Sequence, residues 1–443
     1  MKTVILELFN RGRWWDAAEV SFSGKEMSSG VTISYINDYI GESTTYEAID
    51  NSAFSVNAPL SIIPVEYSHW PSLFDDILPV GKSREWWLHY LNVSRQPEFI
   101  QNYALLTHAC SAPVGHLRVK NIDDQAAREA EKRFNIIDVI KLQYNFLEYA
   151  NEHGAAVGGA TGAGGIAPKL LLMVEQDQVF IDGDFAGKKL SAQPYLTKFA
   201  RNTRSEIDNN ILKAEGVFYK ILSDILDGTG IETINTVDMK LLEHQGQISL
   251  WLPRFDIELR DGIAHRIGLE SIYSMMNATL GSYQDHFKVI DVIWNKIQNC
   301  TSMTSEQFIQ NYVARDLLNL VFGNSDNHGR NISFLKREGG ITFAPIYDFA
   351  PMKADPEMVT RLFKWHRACE HSGEVDFNKV AWELSEKCDP DKLLAFLKIL
   401  ATRMLDLPKQ LNDHGCPEQI INFPAIGFHN TKNKLINMGV LDA

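Results

Sequence analysis

Residues 323–334 read Gly-Asn-Ser-Asp-Asn-His-Gly-Arg-Asn-Ile-Ser-Phe, a polar run between two apolar patterns of different period. Upstream, Thr304 and Gln307 have the spacing of a capping box. Phe308, Tyr312, Leu317 and Val321 continue a helical stripe that Gly323 stops. Downstream, Ile-Ser-Phe-Leu from 332 and Ile-Thr-Phe-Ala-Pro-Ile-Tyr-Asp from 341 flank Gly339-Gly340 as a hairpin. Asp326 and Asn331 stand five positions apart. That is the interval between the Asp that orients an acceptor hydroxyl and the Asn that meets Mg²⁺ in a kinase catalytic loop. Asp-x4-Asn is common by itself, and its place between a helix end and a strand gives it meaning. His328 and Arg330 add a phosphate contact or local charge control; a loop held only by its own side-chain hydrogen bonds is the competing reading.

Other parts that phosphoryl transfer requires occur in chain order on either side. Between 154 and 165 six of twelve residues are glycine. Gly162, Gly164 and Gly165 would let backbone N–H groups approach phosphate oxygens closely, although so glycine-rich a run also reads as a plain linker. Lys198 lies in the strand pattern Pro-Tyr-Leu-Thr-Lys-Phe-Ala of 194–200. Glu215 follows seventeen residues later on a helix expected over 204–226, with Glu206 a second candidate brace for the lysine. Asp348 ends a strand as Asp-Phe-Ala and would complete a metal site with Asn331, or merely cap a turn before Pro351. Arg254, in Trp-Leu-Pro-Arg-Phe-Asp of 251–256, reads either as an anion clamp or as half of a structural ion pair.

Rival chemistries are weaker. His366, Cys369, His371 and Cys388 offer zinc ligands, but the set lacks a Cys-x-x-Cys knuckle. No Gly-x-Ser-x-Gly elbow supports a serine hydrolase.

The 443 residues are 45% hydrophobic and 22% charged, enough apolar material for two or three packed lobes and unlike a disordered chain. With 43 basic against 56 acidic residues the net charge is −13, which disfavours broad contact with nucleic acid or anionic lipid. Five scattered cysteines fit a reducing compartment, so the cytoplasm is expected. The apolar run at the amino terminus is too short for a signal h-region, and no stretch of eighteen apolar residues occurs, so no membrane contact is expected. The expected organisation is a β-rich part with helices over 1–150, a nucleotide-binding part over 151–260 and a helical lobe over 261–443. A helix is expected over 126–152. The fold class is α/β: a two-lobed kinase fold with a β-rich amino-terminal lobe and a carboxy-terminal lobe all-helical apart from the hairpin at 332–348.

Taken together these residues resemble the HipA family of bacterial serine/threonine kinases, the toxins of HipBA-type toxin–antitoxin systems. The resemblance runs over nearly the whole chain. It is carried by the loop at 323–334, by Pro-Ile-Tyr-Asp at 345–348, by Arg254-Phe255-Asp256, by Tyr-Leu-Thr-Lys-Phe with the Glu215 helix, and by Ser-Leu-Phe-Asp-Asp-Ile-Leu-Pro-Val-Gly at 72–81. It implies Asp326 as the catalytic residue, Asn331 and Asp348 as Mg²⁺ ligands and Lys198 as the ATP lysine. It also implies transfer of the γ-phosphate to a protein hydroxyl, in characterised members a serine of an aminoacyl-tRNA synthetase. The implied partner is a helix-turn-helix antitoxin, with DNA reached only through it. Arg330 departs from the family's usual lysine. Gly162, beside Thr161, stands where the family commonly carries an autophosphorylated serine. Two alternatives remain: a small-molecule kinase with the same ATP site, and an inactive nucleotide-binding or partner-binding module.

Overall fold

The structure, a computed structural model, describes residues 2–42, 47–110, 113–120, 132–142, 146, 149–150, 156–157, 169–181, 191–200, 205–366 and 368–442. Most of the glycine-rich run, including Thr161, Gly162, Gly164 and Gly165, lies outside the described residues.

The chain opens with a five-stranded antiparallel sheet in the order Val65–Tyr67, Val31–Tyr35, Arg13–Phe22, Lys2–Asn10, Leu117–Val119. Arg11 and Gly12, both at positive φ, make the tight turn between the first two strands, a conformation glycine adopts without a Cβ penalty. Helices Gly81–Tyr90 and Glu98–His108 accompany this sheet, and its core gathers Phe22, Trp70, Phe74 and Phe99.

A second antiparallel sheet runs Lys240–His244, Gln247–Pro253, Gln193–Phe199, Lys169–Glu175, Gln178–Ile181, Phe134–Asn135, with Ala156–Val157 beside Lys169–Glu175. Phe134–Asn135 corrects the expectation of a continuous helix over 126–152: Asn135 instead caps a one-turn helix, Ile136–Ile140, accepting the Ile137 N–H. The long helix Glu206–Leu226 begins at the Ser205 cap and packs on this sheet. Gly216 sets their spacing, since a Cβ there would stand 3.2 Å from Leu250. The other side of that helix joins the third core, where Phe218 meets Phe322, Phe349 and Phe428.

That third core surrounds helix Ser305–Phe322, with its Thr304–Gln307 capping box and left-handed Gly323, together with helices His286–Ile297 and Pro390–Arg403. The carboxy-terminal lobe is not all-helical outside the hairpin. Gly268–Ser271 joins Ser333–Arg337 and Gly340–Phe343 in a three-stranded sheet, and Ile257–Arg260 pairs with Ile263–Arg266 around an Asp261-Gly262 turn. Two-residue ladders add Gln284–Asp285 with Phe363–Lys364 and Glu370–His371 with Glu374–Val375. Asp-Gly between short apolar segments is a hairpin signal, and such segments are too brief for periodicity to separate strand from helix.

Buried polar contacts fasten the first sheet's module to this lobe. Glu270 accepts hydrogen bonds from the Val56 N–H and the Ser274 hydroxyl, both at 3.0 Å, and from the Ser55 hydroxyl; Lys336 donates to the Ala53 carbonyl at 2.8 Å. Asp256 accepts the Gly115 N–H at 2.7 Å.

Candidate active site

Between the second sheet and the helical lobe lies a cleft whose walls carry Lys169, Lys198, Arg330, Asn331 and Asp348. Lys198 emerges from the central strand Gln193–Phe199, which register fixes between Lys169–Glu175 and Gln247–Pro253. Its ammonium is held by the Glu215 carboxylate and by Asp348 Oδ1 at 2.6 Å. Burial alone would lower the Lys198 pKa, but the Asp348 and Glu215 carboxylates outweigh it and hold the amine above its ordinary value. Tyr219, one turn beyond Glu215, donates to that carboxylate at 2.8 Å and accepts the Phe349 N–H at 3.2 Å. One hydroxyl therefore ties the helix to the segment that carries Asp348. Glu206 opens the helix in its first turn.

Asp348 has φ of +52°, a left-handed conformation uncommon for residues other than glycine and of the kind found at functional sites. Its second partner is Lys169, at 2.9 and 3.0 Å from the two carboxylate oxygens. Burial would raise its pKa, yet the two lysines drive it well below the usual carboxylate range, so Asp348 is an anion at any physiological pH. Lys169 was not singled out from sequence. It falls second in the apolar strand pattern Pro-Lys-Leu-Leu-Leu-Met-Val of 168–174, and only strand register turns its side chain toward Asp348.

The loop 323–331 is buried almost throughout. Asn324 links the two acidic positions: its Oδ1 accepts the Asp326 N–H at 3.3 Å, while its amide nitrogen lies 3.0 Å from Asn319 Oδ1 and 3.5 Å from the Asp348 carbonyl. Asn324 thus ties the Asp326 backbone to the Asp348 backbone, while the Asp326 side chain is not on the cleft wall: its carboxylate stands 3.2 Å from His328 Nε2. His328 lines the cleft and stacks on Tyr273, with ring planes 11° apart. Asn331 donates its amide N–H to the Asp326 carbonyl at 2.7 Å, which leaves its amide oxygen for a hard cation. Arg330 Nη1 is buried with no hydrogen-bond partner among the described residues, an unsatisfied donor in a cleft that can take an anion. Arg254, also on the wall, is bidentate to Asp256 at 2.9 and 2.5 Å, so the ion-pair reading holds there.

No group of three or more His, Cys, Asp or Glu residues able to hold a metal occurs among the described residues, and Cys369 and Cys388 are buried in the core; the rival zinc reading is set aside.

Two lobes, an α/β fold and a charged cleft between them define the class of protein, and comparisons with known proteins narrow it. The family model for the HipA-like C-terminal domain matches residues 161–403, more than half of the chain, and the chain belongs to this family. Toxin YjjJ of Escherichia coli (strain K12) is 27% identical over 173 residues, 39% of this chain and 35% of that protein; the match thus spans about a third of the relative's length. The Shewanella oneidensis MR-1 toxin–antitoxin protein HipA, solved with HipB and operator DNA, superposes with a TM-score of 0.64 over 98% of this chain and 96% of its own, at 15% identity. That likeness shows the fold. A Helicobacter pylori proinflammatory kinase, CtkA, matches only at a TM-score of 0.37 and 14% identity, over 64% of this chain and 92% of its own.

Proposed function

We propose that the protein is an ATP-Mg²⁺-dependent serine/threonine protein kinase acting as a HipA-like toxin. The observation that carries this reading is the buried contact of Lys198 with both Glu215 and Asp348, one cation joining sheet, helix and strand-end carboxylate. In this reading Lys198 and Lys169 hold phosphate oxygens, and Arg330 and His328 contact the same group. Asp348 and the Asn331 amide oxygen would hold Mg²⁺, both being hard oxygen donors on one wall. The metal, when bound, neutralises charge on the transferred phosphate. Asp326 aligns the acceptor hydroxyl and takes its proton; the Asn324 and Asn331 amides fix its backbone for that task. Gly162, Gly164 and Gly165 would cover the phosphates with backbone N–H groups.

The acceptor proposed is a protein serine or threonine, on an aminoacyl-tRNA synthetase by family resemblance. The partner proposed is a helix-turn-helix antitoxin that carries the complex to DNA, in line with the HipB and operator DNA of the Shewanella structure. A net charge of −13 suits a chain that leaves DNA to its partner. No described helix is long and apolar enough to cross a membrane, and the proposed location is the cytoplasm.

The test is transfer from γ-labelled ATP to the protein itself and to lysate proteins. Labelling lost in Asp326→Ala supports the kinase. ATP binding with no labelled product favours a binding module, and a labelled metabolite without labelled protein favours a small-molecule kinase.

A further inference from the structure

Asp348 and Asn331, the two oxygen donors proposed for Mg²⁺, come from different elements. Asp348 follows strand Gly340–Phe343, whereas Asn331 ends the loop 323–331. Mg²⁺ takes near-ideal octahedral geometry at about 2.0–2.1 Å, so the separation of its ligands has to be fixed closely.

Tyr347 is placed to fix it. The residue immediately precedes Asp348, lines the cleft and donates its hydroxyl to the Arg330 carbonyl. That carbonyl belongs to the peptide group joining Arg330 to Asn331, so one bond acts directly beside both donors. With the phenol proton committed to Arg330, the Ser333 hydroxyl is the donor in its 2.6 Å contact with the Tyr347 oxygen. Ser333 is in turn anchored in the three-stranded sheet, opposite Ser271 and with its carbonyl accepting the Ala344 N–H at 2.8 Å. The Tyr347 ring stands against Phe255, centroids 5.4 Å apart, which sets where the hydroxyl reaches. Burial pushes the phenol above its ordinary value, so the proton stays in the bond.

The other contacts of the two donors leave their spacing open. Lys169 and Lys198 hold only the Asp348 carboxylate. Asn331 keeps its remaining hydrogen bonds within the loop, its side-chain N–H on the Asp326 carbonyl at 2.7 Å and its backbone N–H on the His328 carbonyl at 3.0 Å. Asn324 reaches the Asp348 carbonyl at 3.5 Å, but it joins that carbonyl to Asp326.

We propose, on the phosphotransferase reading above, that Tyr347 is a positioning residue for the metal site: its hydroxyl sets the spacing of Asp348 and Asn331, and with it the affinity for the divalent cation that accompanies the nucleotide.

The test is calorimetric ATP binding to the full chain across a Mg²⁺ titration, for wild type, Tyr347→Phe and Ser333→Ala, beside their thermal midpoints. Tyr347→Phe keeps the ring and removes the hydroxyl. Its metal-free ATP affinity should stay within about twofold of wild type, while the Mg²⁺ concentration for half-maximal enhancement of binding should rise by about tenfold, the low end for partners that orient metal ligands. Ser333→Ala should shift the Mg²⁺ requirement in the same direction by a smaller factor, and the double variant no further than Tyr347→Phe. A merely structural role would lower the midpoint and weaken ATP equally with and without the metal. That result, or an unchanged Mg²⁺ requirement, would overturn the proposal alone; should Tyr347→Phe not fold, Ser333→Ala decides on the same readings. A wild-type protein that binds no ATP, or whose ATP binding ignores Mg²⁺, would overturn the phosphotransferase reading, and this proposal with it.

Discussion

Two buried ion clusters flank the loop 323–331. On the cleft side Lys198 is shared between Glu215 and Asp348, with Lys169 on the second oxygen of Asp348. On the far side Asp316 accepts from Arg361 at 3.0 and 3.2 Å, from the Trp365 indole at 2.7 Å and from the Asn327 amide at 2.9 Å; Arg361 also meets Glu370 at 3.2 Å. The Lys169 and Asp348 side chains keep 13% and 17% of their surface exposed, but Asp316 keeps 2% and is roofed by Trp365 and His286. Burial holds His286 down at about 4, so it is neutral and adds no cation to the second cluster. The open cluster can exchange its internal partners for a ligand. The closed one cannot, and it fixes the loop from behind: the Asn327 carbonyl also accepts the Leu362 and Phe363 N–H groups. Similar residue types therefore stand partly open to the cleft in one place and are closed off in the other.

If that division holds, substitutions on the two sides should weigh differently on activity and on stability. The largest effect expected is on transfer. Asp326→Ala should lose about 10²–10⁴-fold in kcat while ATP still binds, since a positioned proton acceptor contributes on that scale. Asp348→Ala should abolish Mg²⁺-dependent ATP binding and also lower the thermal midpoint, because it leaves Lys169 without its carboxylate and Lys198 with Glu215 alone. Unchanged turnover in either variant would break the comparison on the cleft side. Next, Asp316→Ala should cost about 3–5 kcal/mol in urea denaturation, because it breaks the buried pair with Arg361 and leaves that cation to Glu370 alone; a loss under 1 kcal/mol would mean that the second cluster is not what holds the loop. Gly329→Ala sharpens the same point. Its Cβ would stand 2.7 Å from the Tyr273 ring, and overpacking of this kind costs about 1–3 kcal/mol, with transfer reduced through the displaced loop.

The smallest effect concerns pH. Burial raises Asp75 from 3.8 to about 7 on folding, so the native state favours its protonated form. Its contribution to stability is fully present below about pH 4 and is lost as pH rises through 7. Wild type should therefore lose more stability between pH 5 and pH 8 than Asp75→Asn does, read as urea midpoints. Parallel midpoints for the two proteins would refute the assignment.

Much of this site was legible in the sequence because its residues sit at element ends with strong local signals. The capping box at Thr304 and left-handed Gly323 bracket one helix and deliver Asp326 and Asn331 to its terminus. Lys198 and Glu215 follow from a strand pattern and a helical stripe. Lys169 and Tyr219 carry no such signal: each acts through a partner more than a hundred residues away in sequence. The short strands of the carboxy-terminal lobe were missed for a related reason. A two-residue ladder such as Glu370–His371 has no period to read, and it forms because the surrounding core places its backbone beside a partner.

The most direct measurement is a crystal structure of the full chain with Mg²⁺ and a non-hydrolysable ATP analogue. The account predicts the metal at about 2.1 Å from an Asp348 carboxylate oxygen and the Asn331 amide oxygen, with Lys198 on the phosphates and the γ-phosphate turned toward Asp326. A nucleotide bound elsewhere, with Lys198 still closed on Asp348, would contradict it.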